Sequence, residues 1–161
     1  MKTNNRGFTL IELIVVIAII GIMGGVLAGS ISTVSGTRAK KAAASTDALI
    51  SRCRMGCMSK TGKTYLALSV TDGKYTAVYY ENDVEVDRFT ADANVAVQYT
   101  VQDGTATDIG ASAVKIAFKR DSGELDTTNG SAVTALTFTS GRGYTITLVP
   151  DTGAHWIGGA A

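Results

Sequence analysis

Hydrophobic residues follow three regimes along the chain. From Phe8 to about Gly29 nearly every position is apolar, and the run carries one charge, Glu12. At 1.5 Å per helical residue it spans about 33 Å, enough for the hydrocarbon core of a bilayer. Lys2 and Arg6 precede it, a bias that keeps the N-terminus in the cytoplasm and sends everything after Gly29 across. Beyond Gly29 the pattern stays helical but becomes one-sided. Ala42, Thr46, Leu49, Cys53 and Cys57 advance by three or four, with Ile50 flanking, while Arg38, Lys40, Lys41, Arg52 and Arg54 lie mostly off the stripe. The pattern predicts one helix from about Thr9 to Lys60, apolar all round in its first half and amphipathic in its second, with Thr61-Gly62 as its stop.

After Lys63 the period changes to two. Tyr65–Val70, Tyr75–Glu81, Val84–Phe89, Val95–Val101, Ala113–Lys119, Ala132–Thr139 and Tyr144–Val149 read as strands. Asp72-Gly73, Asn82-Asp83, Asp103-Gly104, Ser122-Gly123, Asn129-Gly130 and Gly141–Gly143 supply the turns, and Gln102–Ser112 reads as an exposed loop. Closely spaced strands imply antiparallel meanders against the amphipathic half of the helix. The fold class is therefore α+β: a long N-terminal helix, membrane-spanning at first, packed on an antiparallel sheet or β-sandwich head. The organisation is 8–29 for the apolar helix, 30–62 for its amphipathic half and 63–161 for the head.

Composition supports a β-rich body, with 18 glycines and one proline in 161 residues. The net charge of +1 hides an asymmetry. Between Ser30 and Lys63, Arg38, Lys40, Lys41, Arg52, Arg54, Lys60 and Lys63 face only Asp47, whereas from Thr64 onward six basic residues face twelve acidic ones. A basic neck and an acidic head would orient neighbouring subunits. Cys53 and Cys57 are too few for a disulfide framework, and their i, i+4 spacing puts both on one helix face. Packing as small apolar residues under the head, a strained local disulfide and a metal site are the three readings. The first is favoured, because helix turns aim the thiols poorly at each other and no second ligand pair has zinc spacing.

The opening MKTNNRGFTLIELIVVIAIIGIMGGVLAG admits three readings. A secretory signal peptide has an apolar core of only about 7–15 residues, although Leu27-Ala28-Gly29-Ser30 imitates its cleavage site. A plain membrane anchor leaves unexplained a carboxylate that costs about 2.5–3.5 kcal/mol deep in a membrane helix. The third accounts for it: Arg6-Gly7-Phe8-Thr9-Leu10-Ile11-Glu12-Leu13 resembles the cleavage and methylation motif of the type IV pilin and type II secretion pseudopilin superfamily.

The resemblance implies cutting by a prepilin peptidase between Gly7 and Phe8, removing a 1–7 leader, and N-methylation of Phe8. It also implies that Glu12 of an arriving subunit pairs with the Phe8 amine of one already assembled. The chemistry is consistent. Gly7 is readily drawn extended through a protease cleft, and a terminal amine with a reference pKa near 8 is mostly cationic at neutral pH. Removing one partner of such a buried pair costs about 3–5 kcal/mol.

Gly21, Gly25 and Gly29 recur every fourth residue, with Gly24 beside them, a spacing that lets helices approach closely. Pilins commonly carry a proline near the position of Gly29, which this chain lacks, and local melting of the stalk is a family feature. The glycines are expected to loosen the stalk between Gly21 and Gly29 instead. The tail, with Val114–Lys119, Asp121-Ser122-Gly123 and Tyr144 through Pro150-Asp151-Thr152-Gly153, resembles that of the H-type, FimT-like minor pseudopilins, in which a final hairpin is closed by a Pro–Gly turn.

Other chemistry is sparse. His155, beside Trp156, is the single histidine and reads as a surface or packing residue. No GxSxG elbow, phosphate-cradling loop or HExxH pair occurs, so the chain is expected to be no enzyme and to need no cofactor or metal. Glu81, Asp83, Glu85 and Asp87 alternate as a solvated face without calcium-loop spacing. DNA contact would fall to Lys115, Lys119, Arg120 and Arg142, against the acidity of the head.

The favoured function is a filament subunit, a minor pilin or pseudopilin. Its partners would be other pilin subunits, the prepilin peptidase, the inner-membrane assembly platform and the cytoplasmic membrane. Its location would be a single-pass cytoplasmic membrane protein, then a periplasmic or extracellular filament. The alternative is a membrane-anchored binding module or a DNA-binding minor pilin for DNA uptake.

Overall fold

The computed structural model describes residues 10–59, 61–92, 95–102, 104–128 and 130–159, with the side chains of 24–35 outside that description. The chain divides into two compact units, one reaching Val34 and the other beginning at Ser35. In the first, α1 (Leu10–Ser59) begins, with Glu12 in its first turn. Every side chain from Leu10 to Met23 is exposed, Leu10 at 76% and Ile22 at 71%.

In the second unit α1 becomes one-sided as its spacing requires. Ala39, Ala42, Ala43, Thr46, Leu49, Ile50, Cys53 and Cys57 are all buried, three or four residues apart along one face. Against them lie two antiparallel sheets built from β1 (Thr64–Thr71), β2 (Lys74–Glu81), β3 (Val84–Thr90), β4 (Ala96–Val101), β5 (Ala106–Asp108), β6 (Val114–Ile116), β7 (Val133–Ser140), β8 (Arg142–Leu148) and β9 (His155–Gly159). Their orders are β3-β2-β1-β6 and β5-β4-β7-β8-β9. The fold is α+β, as the change of period implies.

Two hairpins show local chemistry setting register. Thr71 pairs with Lys74 and Glu81 with Val84, leaving the two-residue loops Asp72-Gly73 and Asn82-Asp83. All four residues have positive φ, from 51° to 70°, the type I′ geometry that matches strand twist. One core then joins both sheets and the helix. Tyr75 of β2 meets Phe138 of β7 edge-on at 5.5 Å, and its hydroxyl bonds Thr46 Oγ1 at 3.1 Å, with Tyr75 and Thr46 both fully buried.

Three elements differ from the sequence reading. The Gln102–Ser112 stretch contains β5, whose residues are all exposed and so carry no alternation, and which is held by pairing with β4. The strand expected over Ala113–Lys119 stops at Ile116. Ile116, Ala117 and Phe118 are consecutively buried, and the chain turns back through Asp126 N to Ala117 O (2.8 Å) and Lys119 N to Glu124 O (2.8 Å). β9 is implied only by the tail resemblance, since HWIGG has no period-two pattern. The acidic run is likewise divided by the Asn82-Asp83 turn, with Glu85 paired to Arg88 and Asp87 to Arg52.

Candidate functional site

Gly7 and Phe8 lie outside the described residues. Glu12 stands exposed in the first turn of α1, where a carboxylate complements the helix dipole. Gly21 is exposed, and a methyl group added there would meet nothing within 4 Å. Gly25 and Gly29 fall where only the backbone is described, and that backbone is helical throughout Gly21–Gly29. Among the described residues no helix is long and apolar enough to cross a membrane.

The neck is joined to the head by contacts that no local pattern signals. Arg54 donates from Nε to Gly123 O (3.2 Å) and from Nη2 to Thr152 O (2.8 Å), tying two glycine turns to α1. Arg52 pairs with Asp87 of β3 and lies 5.4 Å from the centroid of the Tyr79 ring. His155 faces α1 at Ser51, bordering the same hollow as Arg54. Its Nδ1–H donates to Gly153 O at 3.2 Å, since a carbonyl only accepts, so in the neutral ring Nε2 accepts from Ser51 Oγ–H at 2.8 Å. Asp47 Oδ1, 3.7 Å from Nε2, is buried and has no hydrogen-bond partner among the described residues. His155 thus packs the helix against β9.

Cys53 and Cys57 are both buried free thiols. Cys57 Sγ–H donates to Thr64 O at 3.2 Å. Residues at i, i+4 hold their Cβ atoms about 5–6 Å apart, beyond the ~3.8 Å of a disulfide. Ionising one thiol disfavours ionising the other. Cys57 is lowered to about 7 chiefly by hydrogen bonding from Cys53, then by the Phe118 backbone and Arg120, against burial and Asp126. Cys53 is pushed up by the same contact and by burial.

The four cations that would serve DNA contact do not share one surface. Lys115, Lys119 and Arg120 border one cavity. Arg142 instead packs over Gly36 of α1, where an added Cβ would lie 3.4 Å from its own.

Residues 2–28 match the family described as the prokaryotic N-terminal methylation motif. That motif, on an apolar helix with Glu12 at its start, marks the chain as a prepilin of the type IV pilin and pseudopilin kind, processed by prepilin peptidase. The motif indicates a structural subunit and implies assembly with other pilin subunits and anchoring to the membrane through the N-terminus. No curated protein and no solved structure matches the chain.

Proposed function

We propose that the chain is a minor subunit of a type IV pilus or type II secretion-like filament, inserted with its leader in the cytoplasm, cut between Gly7 and Phe8, methylated on Phe8 and extracted into a helical bundle of stalks. The observation carrying this reading is the stretch Leu10–Met23, wholly exposed yet apolar except for Glu12, in a chain whose head folds around its own core. So large an apolar surface needs lipid before assembly and neighbouring stalks after it. In that bundle Glu12 meets the Phe8 ammonium of a neighbour, and Gly21, Gly25 and Gly29 let stalks approach and loosen. The minor, H-type assignment rests on the tail alone.

Glu12→Ala tests the reading. A filament subunit keeps its cleavage and membrane insertion but drops out of sheared filaments; normal incorporation refutes the pairing. Mass spectrometry of the processed chain then reads the N-terminus. Retention of the first seven residues in membranes containing the peptidase refutes the processing step.

A further inference from the structure

Between the end of α1, the 62–65 segment and residues 115–120 lies a cavity of about 300 Å3. Lys63, Lys115, Lys119 and Arg120 border it, against Asp83 and Asp126. That balance opposes the head as a whole: three of the six basic residues from Thr64 onward gather here, while twelve acidic residues occupy the same span.

The carboxylates are engaged. Asp83 accepts from Tyr65 Oη at 3.0 Å and Asp126 from the Thr128 N–H at 3.0 Å. Lys119 is held by Glu124 at 2.7 Å. The other three cations form no ion pair among the described residues. Arg120 makes one long contact, 3.4 Å to Gly62 O, and the Lys115 ammonium sits 4.8 Å from the centroid of the Tyr65 ring. Beneath them Cys57, Ala117 and Phe118 form a floor only 4–6% exposed. The cations still outnumber the carboxylates around the cavity, and cations over an apolar floor attract an anion more strongly than cations surrounded by water.

The walls also select against a nucleobase. Tyr65 has one face stacked on Tyr80, with centroids 5.0 Å apart and planes at 18°, and Lys115 covers it from β6 on the other side of β1. No face remains on which a base could stack, and the acidic head repels an extended polyanion.

We infer that this cavity binds a small, non-aromatic oxyanion, a phosphate monoester or polycarboxylate, through Lys63, Lys115 and Arg120. The inference goes beyond the filament reading and does not depend on it.

The full-length chain in detergent micelles is titrated at low chloride with inorganic phosphate, with citrate and with a short single-stranded oligonucleotide. Binding is followed by calorimetry and by protection of Cys57 from iodoacetamide. Phosphate or citrate should saturate at millimolar concentration or below and slow the alkylation, and whichever binds tighter identifies the group recognised. Lys115→Gln and Arg120→Gln should each weaken binding about tenfold, the loss of one charged contact. Arg88→Gln, on β3 and away from the cavity, should leave it unchanged. Three results would overturn the site: no saturation by either anion, an equal loss in Arg88→Gln, or protection by the oligonucleotide alone. Because Glu12 is untouched in every variant, failure here leaves the filament reading standing.

Discussion

Alanine is ordinarily better than glycine inside a helix by about 1 kcal/mol, and Gly56 lies inside α1. There the sign should reverse. A Cβ at Gly56 would stand 2.1 Å from Tyr79 Oη, 3.2 Å from Thr64 Cγ2 and 3.3 Å from Tyr79 Cζ. Tyr79 cannot simply swing away, being 1% exposed and bonded through its hydroxyl to Glu81 at 2.7 Å. Overpacking costs about 1–3 kcal/mol, and losing a hydrogen bond to a charged group about 1.5–3. With both incurred, even at their lower ends, Gly56→Ala should destabilise by about 1.5 kcal/mol net or more, lowering the melting temperature by roughly 3–6 °C or more.

Thermal unfolding of the full chain in detergent, followed by near-ultraviolet circular dichroism, measures this. Tyr79→Phe removes the atom struck first, so in that background Gly56→Ala should fall within about 1 kcal/mol of neutral. A Gly56→Ala chain that melts at or above the parent, or the same loss with Phe at position 79, would refute the argument that this contact seats the helix on β2.

Other outcomes follow from the same geometry. Tyr75→Phe and Thr46→Val should each destabilise by about 1–3 kcal/mol by orphaning a buried hydroxyl, while the double variant should cost less than their sum; strict additivity in denaturant melts would contradict the bond. Gly153→Ala combines φ +64° with a Cβ only 1.9 Å from Gly123 O, so it should cost more than about 2 kcal/mol, whereas Gly73→Ala, at φ +70° with open space, should cost only about 1–2. Equal losses would count against packing of the two turns. Cys57 has its pKa lowered from 9.0 to about 7, so its ionisation favours the folded state; that contribution is complete above pH 9 and is lost as pH falls through about 7. Its alkylation rate should therefore titrate near 7, and Cys53→Ala should move the midpoint upward. An unchanged midpoint would deny the thiol–thiol contact.

Much of the head is legible in the amino-acid sequence, because the signals are short-range. The buried stripe from Ala42 to Cys57 repeats at helical spacing. The Asp72-Gly73 and Asn82-Asp83 loops specify their own hairpins, because few residues accept positive φ. β5 leaves no mark in the pattern because all its residues face solvent. Lys115 and Lys119 alternate as if on one strand face, yet the strand ends at Ile116. In both cases backbone pairing, not side-chain period, decides the outcome.

By itself the amino-acid order determined that an apolar helix bearing Glu12 behind Gly7-Phe8 leads into a one-sided neck and an antiparallel head. Each of these is written within a few helical turns or one strand pair. Only the tertiary structure decided that Lys63 meets Lys115 and Arg120 around one cavity, that Arg54 joins two distant glycine turns, and that His155 closes on Ser51. Those contacts join segments from about 50 to more than 100 residues apart. No local periodicity encodes them, because the distances depend on how two sheets and a helix close around a shared core.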